Sequence, residues 1–142
     1  MLKGIDRLLS PEMLKVLCEM GHGDRIVIAD GNFPAESLGK NGIVVRMDGH
    51  GACEVLKAIL SVFPLDTMTD KPVLLMEAEP DEVIPIWEDY REIISREDNR
   101  GAETIGHLER YAFYDAARHA YAIVATGESA LSANIILQKG VV

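Results

Sequence analysis

A chain of 142 residues suits one domain built around a single hydrophobic core. Its 14 lysines and arginines against 23 aspartates and glutamates leave a formal net charge of -9, which argues against holding nucleic acid or an anionic membrane through a basic surface. With 48% hydrophobic and 26% charged residues the composition excludes a disordered polyelectrolyte, and no window approaches the roughly 20 apolar residues of a membrane span.

Taken in chain order, Ser10-Pro11-Glu12 starts a helix: Ser10 caps free amides, Pro11 suits the first helical position and Glu12 complements the positive end of the dipole. Met13, Leu14, Leu17 and Met20 recur at helical spacing, and Gly21 is placed to end the helix in a left-handed conformation, leaving His22 just outside it. Arg25 to Ala29 reads as a buried central strand, because Ile26-Val27-Ile28 is continuously apolar and β-branched. Asp30-Gly31-Asn32-Phe33-Pro34 ends it, and a loop rich in Gly, Pro, Asn and Ser is expected up to Gly42.

Ile43 to Met47 is the second expected strand, and Asp48-Gly49-His50-Gly51 turns the chain into a helix carrying Val55, Leu56, Ile59, Leu60 and Phe63. Pro72 to Met76 is a third strand, followed by a polar turn and a helix to about Arg96, in which Pro85 fits only within the first turn. Trp87, Tyr90, Ile93 and Ile94 share one face of that helix. Glu103-Thr104-Ile105 reads as a short strand, Leu108 to His119 as a helix, and Tyr121–Thr126 and Asn134–Leu137 as two further strands. This alternation predicts a single α/β domain over residues 1–142, a central sheet flanked by helices.

Cys18 and Cys53 fall in apolar helical patterns and form no close Cys-x-x-Cys pair, so buried free thiols in a reducing compartment are expected. No N-terminal apolar run resembles a signal peptide, which agrees with a cytoplasmic location. The chain lacks a phosphate-binding glycine loop and a Gly-x-Ser-x-Gly elbow, and its four histidines form no spaced ligand set with the cysteines. Asp48 and His50 in one turn read as solvated side chains rather than as part of a metal site.

The remaining chemistry sits at junctions. His22 and Asp30 flank one strand, and a histidine that titrates near neutrality beside a cleft suits proton transfer on a small molecule. Each has a plainer reading. His22 reads equally as a helix-capping surface residue, Asp30 as an Asx-turn before Gly31, Arg110 as a helix surface charge and Asn134 as a strand-end turn residue.

Together, however, several spaced segments resemble one family. They are Leu9-Ser10-Pro11-Glu12, Glu19-Met20-Gly21-His22-Gly23-Asp24, Asp30 with Asn32-Phe33-Pro34-Ala35, Arg110-Tyr111-Ala112-Phe113-Tyr114, and Thr126-Gly127-Glu128 with Asn134-Ile135-Ile136-Leu137. In this order, across nearly the whole chain, they are similar to the fucose mutarotase and ribose pyranase family, closer to the fucose mutarotase branch. The resemblance implies a ribose pyranase-like fold and interconversion of anomers or ring forms of a free reducing monosaccharide, L-fucose or a related sugar. It also implies that no cofactor or metal is used, and that the chains form ring-shaped homo-decamers with sites between subunits.

Carried over by resemblance, His22 is the proton donor, Asp30 contacts or orients a sugar hydroxyl, and Arg110 contacts substrate. Asn134 matches the asparagine of the family's Tyr-Gly-Asn or Tyr-Ala-Asn motif, which here reads Ser132-Ala133-Asn134, so Ser132 stands where the family has tyrosine. One geometric condition follows from the strand. If Arg25 to Ala29 is straight, rising about 3.3 Å per residue, His22 and Asp30 sit more than roughly 15 Å apart, and either the strand bends or a neighbouring subunit completes the pocket. Two other readings remain: a sugar-binding accessory protein without catalysis, and a phosphate-accepting histidine protein, which no flanking basic cluster supports.

Overall fold

The computed structural model describes all 142 residues. Six strands form one mixed sheet, with β1 Arg25–Ala29, β2 Ile43–Met47, β3 Val73–Met76, β4 Ile105–Leu108, β5 Ala122–Thr126 and β6 Ile135–Gln138 arranged in the order β2-β5-β1-β6-β3-β4. β2, β5 and β1 run parallel, as do β3 and β4; β6 lies antiparallel between β1 and β3 and joins the two groups. The helices are α1 Pro11–Glu19, α2 Ala35–Leu38, α3 Ala52–Leu60, α4 Pro85–Glu97 and α5 Arg110–Arg118.

Side-chain alternation along the strands divides the core between the two faces of the sheet. Ile26 and Ile28 of β1, Ala122 and Val124 of β5, and Ile135 and Leu137 of β6 pack on one face under α1, α3 and α4. Val27, Ala29, Ile123 and Ile136 face the other way, against Phe113 and Ala117 of α5 and Ala35 of α2. Both faces being covered explains the unbroken apolar run of β1. On α4 the buried Tyr90 and Ile94 and the half-buried Trp87 and Ile93 form the expected stripe, and Pro85 occupies the first turn.

Several local expectations need correction. α2 is a single turn within the stretch expected to be loop; four residues are too few to display a helical period. Glu103 and Thr104 belong to a 3-10 turn, Gly101–Thr104, and the strand begins only at Ile105; α5 starts at Arg110 rather than Leu108. α1 does not end on a left-handed Gly21: its cap, Met20, is extended, and the left-handed residue is Gly23, at φ 87. Cys18 lies on the outer side of α1 and is exposed, while Cys53 is half-buried; both thiols are free. No helix is long and apolar enough to cross a membrane.

Candidate active site

At one edge of the sheet β1, β3 and β4 end and the antiparallel β6 begins, so four adjacent strands present their termini side by side. An open cleft of about 740 Å³ lies there, with Asp30, Arg110, Ser132 and Asn134 among its lining residues. Loops at the ends of parallel strands are free to carry chemistry because the sheet holds their roots rigid.

Asp30 follows directly on β1 and is 7% exposed. Its backbone N–H donates to Asn134 Oδ1 at 2.8 Å, and Asn134 Nδ2 donates back to Asp30 Oδ2 at 3.0 Å. Asp30 Oδ1 accepts the Asn32 amide at 3.0 Å, so the Asx-turn expected from sequence is present alongside the longer-range pair. Burial pushes the Asp30 carboxyl up from the ordinary aspartate range, while the hydrogen bonds from the Asn32 amide and the Asn134 side chain pull it down.

Ala133 is fully buried and lies beneath the cleft, outside its lining. Its carbonyl accepts from Tyr90 Oη at 2.6 Å, and the Ser132 carbonyl accepts from Trp87 Nε1 at 2.9 Å, so two aromatic side chains of α4 pin the segment that carries Asn134. Ser132 itself is left-handed, at φ 55, a conformation that costs a non-glycine residue energy.

Arg110 opens α5, whose first amides are capped by the Glu109 carboxylate through the Tyr111 and Ala112 N–H groups. Its guanidinium lies 5.5 Å from the Tyr114 ring centre, with Nε donating to Tyr114 Oη at 3.2 Å. Phe33 meets Tyr114 edge-on at 5.6 Å and lines the same cleft, as do Glu79 and Glu82. Sequence reasoning gave none of these four a role, although Phe33 and Tyr114 stand inside the segments that carried the family resemblance. No pattern in the sequence singles out Glu79 and Glu82 from the other charges of their polar turn.

His22 is not brought to this cleft. β1 pairs in unbroken register with β5 and β6, with no bulge, and its five residues at about 3.3 Å each hold His22 and Asp30 beyond opposite ends of the strand. His22, with its side chain 39% exposed, lies in a separate groove walled by Leu2, Leu14, Leu17 and Val62, and its Nε2 is 3.1 Å from Asp66 Oδ1. The two depressions share no lining residue. No three His, Cys, Asp or Glu side chains of the chain gather as a metal-binding group.

Comparison with known proteins covers the chain end to end. It is 46% identical over 147 aligned residues to the fucose mutarotase of Danio rerio, spanning 99% of this chain and 94% of that protein. Among solved structures, FucU from Bifidobacterium longum superposes with a TM-score of 0.95 at 65% identity, covering 99% of each chain. The fucose mutarotase of Streptococcus pneumoniae, solved in complex with L-fucose, superposes with a TM-score of 0.93 at 45% identity, again over 99% of each chain. Residues 3–142 match the RbsD / FucU transport protein family, and the chain belongs to that family.

Proposed function

We propose that this protein is a sugar mutarotase that interconverts the anomers of L-fucose or a related free reducing monosaccharide by ring opening and reclosure. The observation that carries the reading is the cleft at the strand termini, with the buried Asp30–Asn134 pair in its floor, in a chain that matches fucose mutarotases over 99% of its length. Each Asp30 oxygen already accepts one hydrogen bond and keeps lone-pair capacity for a sugar hydroxyl.

Ring opening moves two protons. His22, as imidazolium, gives a proton to the ring oxygen while the bond from that oxygen to the anomeric carbon breaks, its electron pair staying on oxygen. The anomeric hydroxyl loses its proton to water and becomes the aldehyde carbonyl. Reclosure on the other face of the aldehyde reverses both transfers and yields the other anomer. Substrate and product are isomers, so no electron or group is gained or lost. A positioned general acid–base typically contributes about 10² to 10⁴-fold, enough for a reaction that already proceeds unaided in water.

The site is completed across a subunit boundary, His22 of one chain meeting the Asp30, Arg110, Ser132 and Asn134 cleft of the next in a ring-shaped decamer. The opposite placement of the two halves on one sheet supports this, as does the apolar wall around His22, a surface that association would cover. A cytoplasmic location goes with the two free cysteines, which suit a reducing compartment.

Saturation-transfer NMR on L-fucose, with D-ribose beside it, tests the reading. Wild-type protein should accelerate exchange between the two L-fucose anomers, and His22→Ala should return it near the uncatalysed rate with sugar binding retained. Binding of L-fucose without any acceleration would instead mark an accessory binding protein.

A further inference from the structure

The chain has one tryptophan, Trp87, which does not line the cleft. It stands half-buried on α4, with its ring 5.1 Å from that of His107 on β4. Its Nε1 donates to the Ser132 carbonyl at 2.9 Å. Three residues on, Tyr90 Oη donates to the next carbonyl, that of Ala133, at 2.6 Å, and burial pushes the Tyr90 phenol up so that it keeps the proton it donates. Two successive carbonyls of the segment that carries Asn134 are thus turned toward α4.

Peptide planarity makes these two bonds decide what lies on the opposite side. In a trans peptide the C=O and the following N–H point in opposite directions, and the chain has no cis peptide. With the Ser132 carbonyl on Trp87, the Ala133 N–H points away from the indole, and it donates to no backbone carbonyl. Asp30 is locked against this segment by its two bonds with Asn134. Burial raises the Asp30 carboxyl, and the Ala133 amide is among the groups that draw it back down, which places that N–H on the Asp30 side. Turned over, the same peptide would set the Ser132 carbonyl oxygen against the carboxylate, two acceptors with no proton between them. Ser132, left-handed at φ 55, gives the peptide no preference of its own for the orientation it holds.

We infer that Trp87 is a positioning residue for the sugar cleft: its indole N–H fixes the Ser132–Ala133 peptide so that the Ala133 N–H, and not the Ser132 carbonyl, faces Asp30 and leaves that carboxylate able to take a sugar hydroxyl. This rests on the reading of the cleft as a monosaccharide site. It adds a residue outside the lining and gives α4 a part in recognition. The indole acts through the backbone and touches no substrate, so it serves binding rather than proton transfer. No other side chain donates to the Ser132 carbonyl, and the nearest cationic group of the cleft, Arg110, is engaged with Tyr114.

Because Trp87 is the only tryptophan, biosynthetic replacement of tryptophan by benzothienylalanine changes this position alone, putting sulfur where the N–H was and keeping the shape of the ring. The substituted protein should keep the wild-type circular dichroism and raise KM for L-fucose about fivefold to tenfold, the order of one hydrogen bond, with kcat within about twofold. Trp87→Phe should show the same split. Nitrogen-15 labelling of the unsubstituted protein gives a single indole N–H signal, which should exchange slowly with solvent and shift as L-fucose is added. A wild-type KM in the benzothienylalanine protein overturns the inference, as does an indole N–H that exchanges freely or stays unmoved at saturating L-fucose. The indole signal decides the case even where both substituted proteins fold poorly. A wild-type protein that neither binds L-fucose nor accelerates its exchange would remove the sugar reading instead, a failure visible apart from the slow exchange that reports the Ser132 bond.

Discussion

Asp30 and Asn134 hold each other by two hydrogen bonds of opposite sense, backbone amide to side-chain oxygen at 2.8 Å and side-chain amide to carboxylate at 3.0 Å, across the junction of β1 and β6. The pair is reciprocal, so Asn134 cannot turn its amide over without losing both bonds. Asn134→Ala leaves the buried Asp30 N–H without an acceptor and Asp30 Oδ2 without its donor, Oδ1 keeping the Asn32 amide, and should destabilise the fold by about 2–3 kcal/mol in chemical denaturation while abolishing L-fucose exchange. An unfolding midpoint equal to the wild type would show that water satisfies both groups and that the pair does not organise the cleft.

Arg110 makes its contacts within its own helix, over the ring and hydroxyl of Tyr114, and is exposed. Its charge is therefore free for a sugar hydroxyl. Arg110→Ala should raise KM for L-fucose about tenfold, the order of one charge-assisted hydrogen bond, with the unfolding midpoint unchanged. Lysine at this position should recover little, because a point charge neither stacks on the ring nor presents a planar fork. Full recovery by Arg110→Lys would reduce the residue to a general positive charge in a cleft otherwise rich in carboxylates.

The acid stability of the fold should follow its low carboxyls. The Arg100 guanidinium holds Asp98 below the ordinary aspartate range, and the Met68 amide does the same for Asp66. Between the folded and the ordinary unfolded values the native state binds fewer protons, so these groups contribute fully above about pH 5 and their contribution is lost as pH falls through the folded values. Asp30 acts in the opposite sense. Raised by burial, it binds its proton more tightly in the native state and costs stability once pH rises through its folded value. Denaturation midpoints should fall steadily below about pH 4, and Asp98→Asn should make that fall shallower; parallel curves for the two proteins would refute the assignment to Asp98.

Much of this architecture can be read along the chain, because the strands carry β-branched runs whose alternate residues serve the two faces of the sheet, as Ile26, Val27 and Ile28 do. What cannot be read is direction. Asn134–Leu137 announces a strand, yet the same apolar residues would pack in either sense, and only the structure places β6 antiparallel so that Asn134 meets Asp30. The site divides in the same way. Asp30, Arg110, Ser132 and Asn134 are brought to one cleft, whereas Ala133 supports it from below and His22 lies beyond the other end of β1. Asp66 was invisible for a different reason. It lies 44 residues from His22, and the bridge between Leu65 and Lys139 is what lays its segment beside the end of β6.

Ser132 is where the local sequence and the backbone disagree. At φ 55 it adopts a conformation glycine takes without cost, and its carbonyl is held there by Trp87 Nε1. Ser132→Gly should therefore leave the fold as stable or gain up to about 1 kcal/mol, the relief of left-handed strain set against the added freedom of the unfolded chain. Ser132→Tyr pays the same backbone cost as serine but adds a ring to a cleft that Phe33 and Tyr114 also line. Since an aromatic face and a phenol together add both stacking area and a hydrogen bond to a sugar, this substitution should lower KM for L-fucose and change the ratio of L-fucose to D-ribose exchange. Anomer-exchange rates on the two sugars, measured side by side for serine, glycine and tyrosine at this position, separate the effects: glycine tests the backbone alone, and tyrosine adds the side chain. If tyrosine and glycine give the same sugar ratio, the position governs loop conformation and not sugar choice.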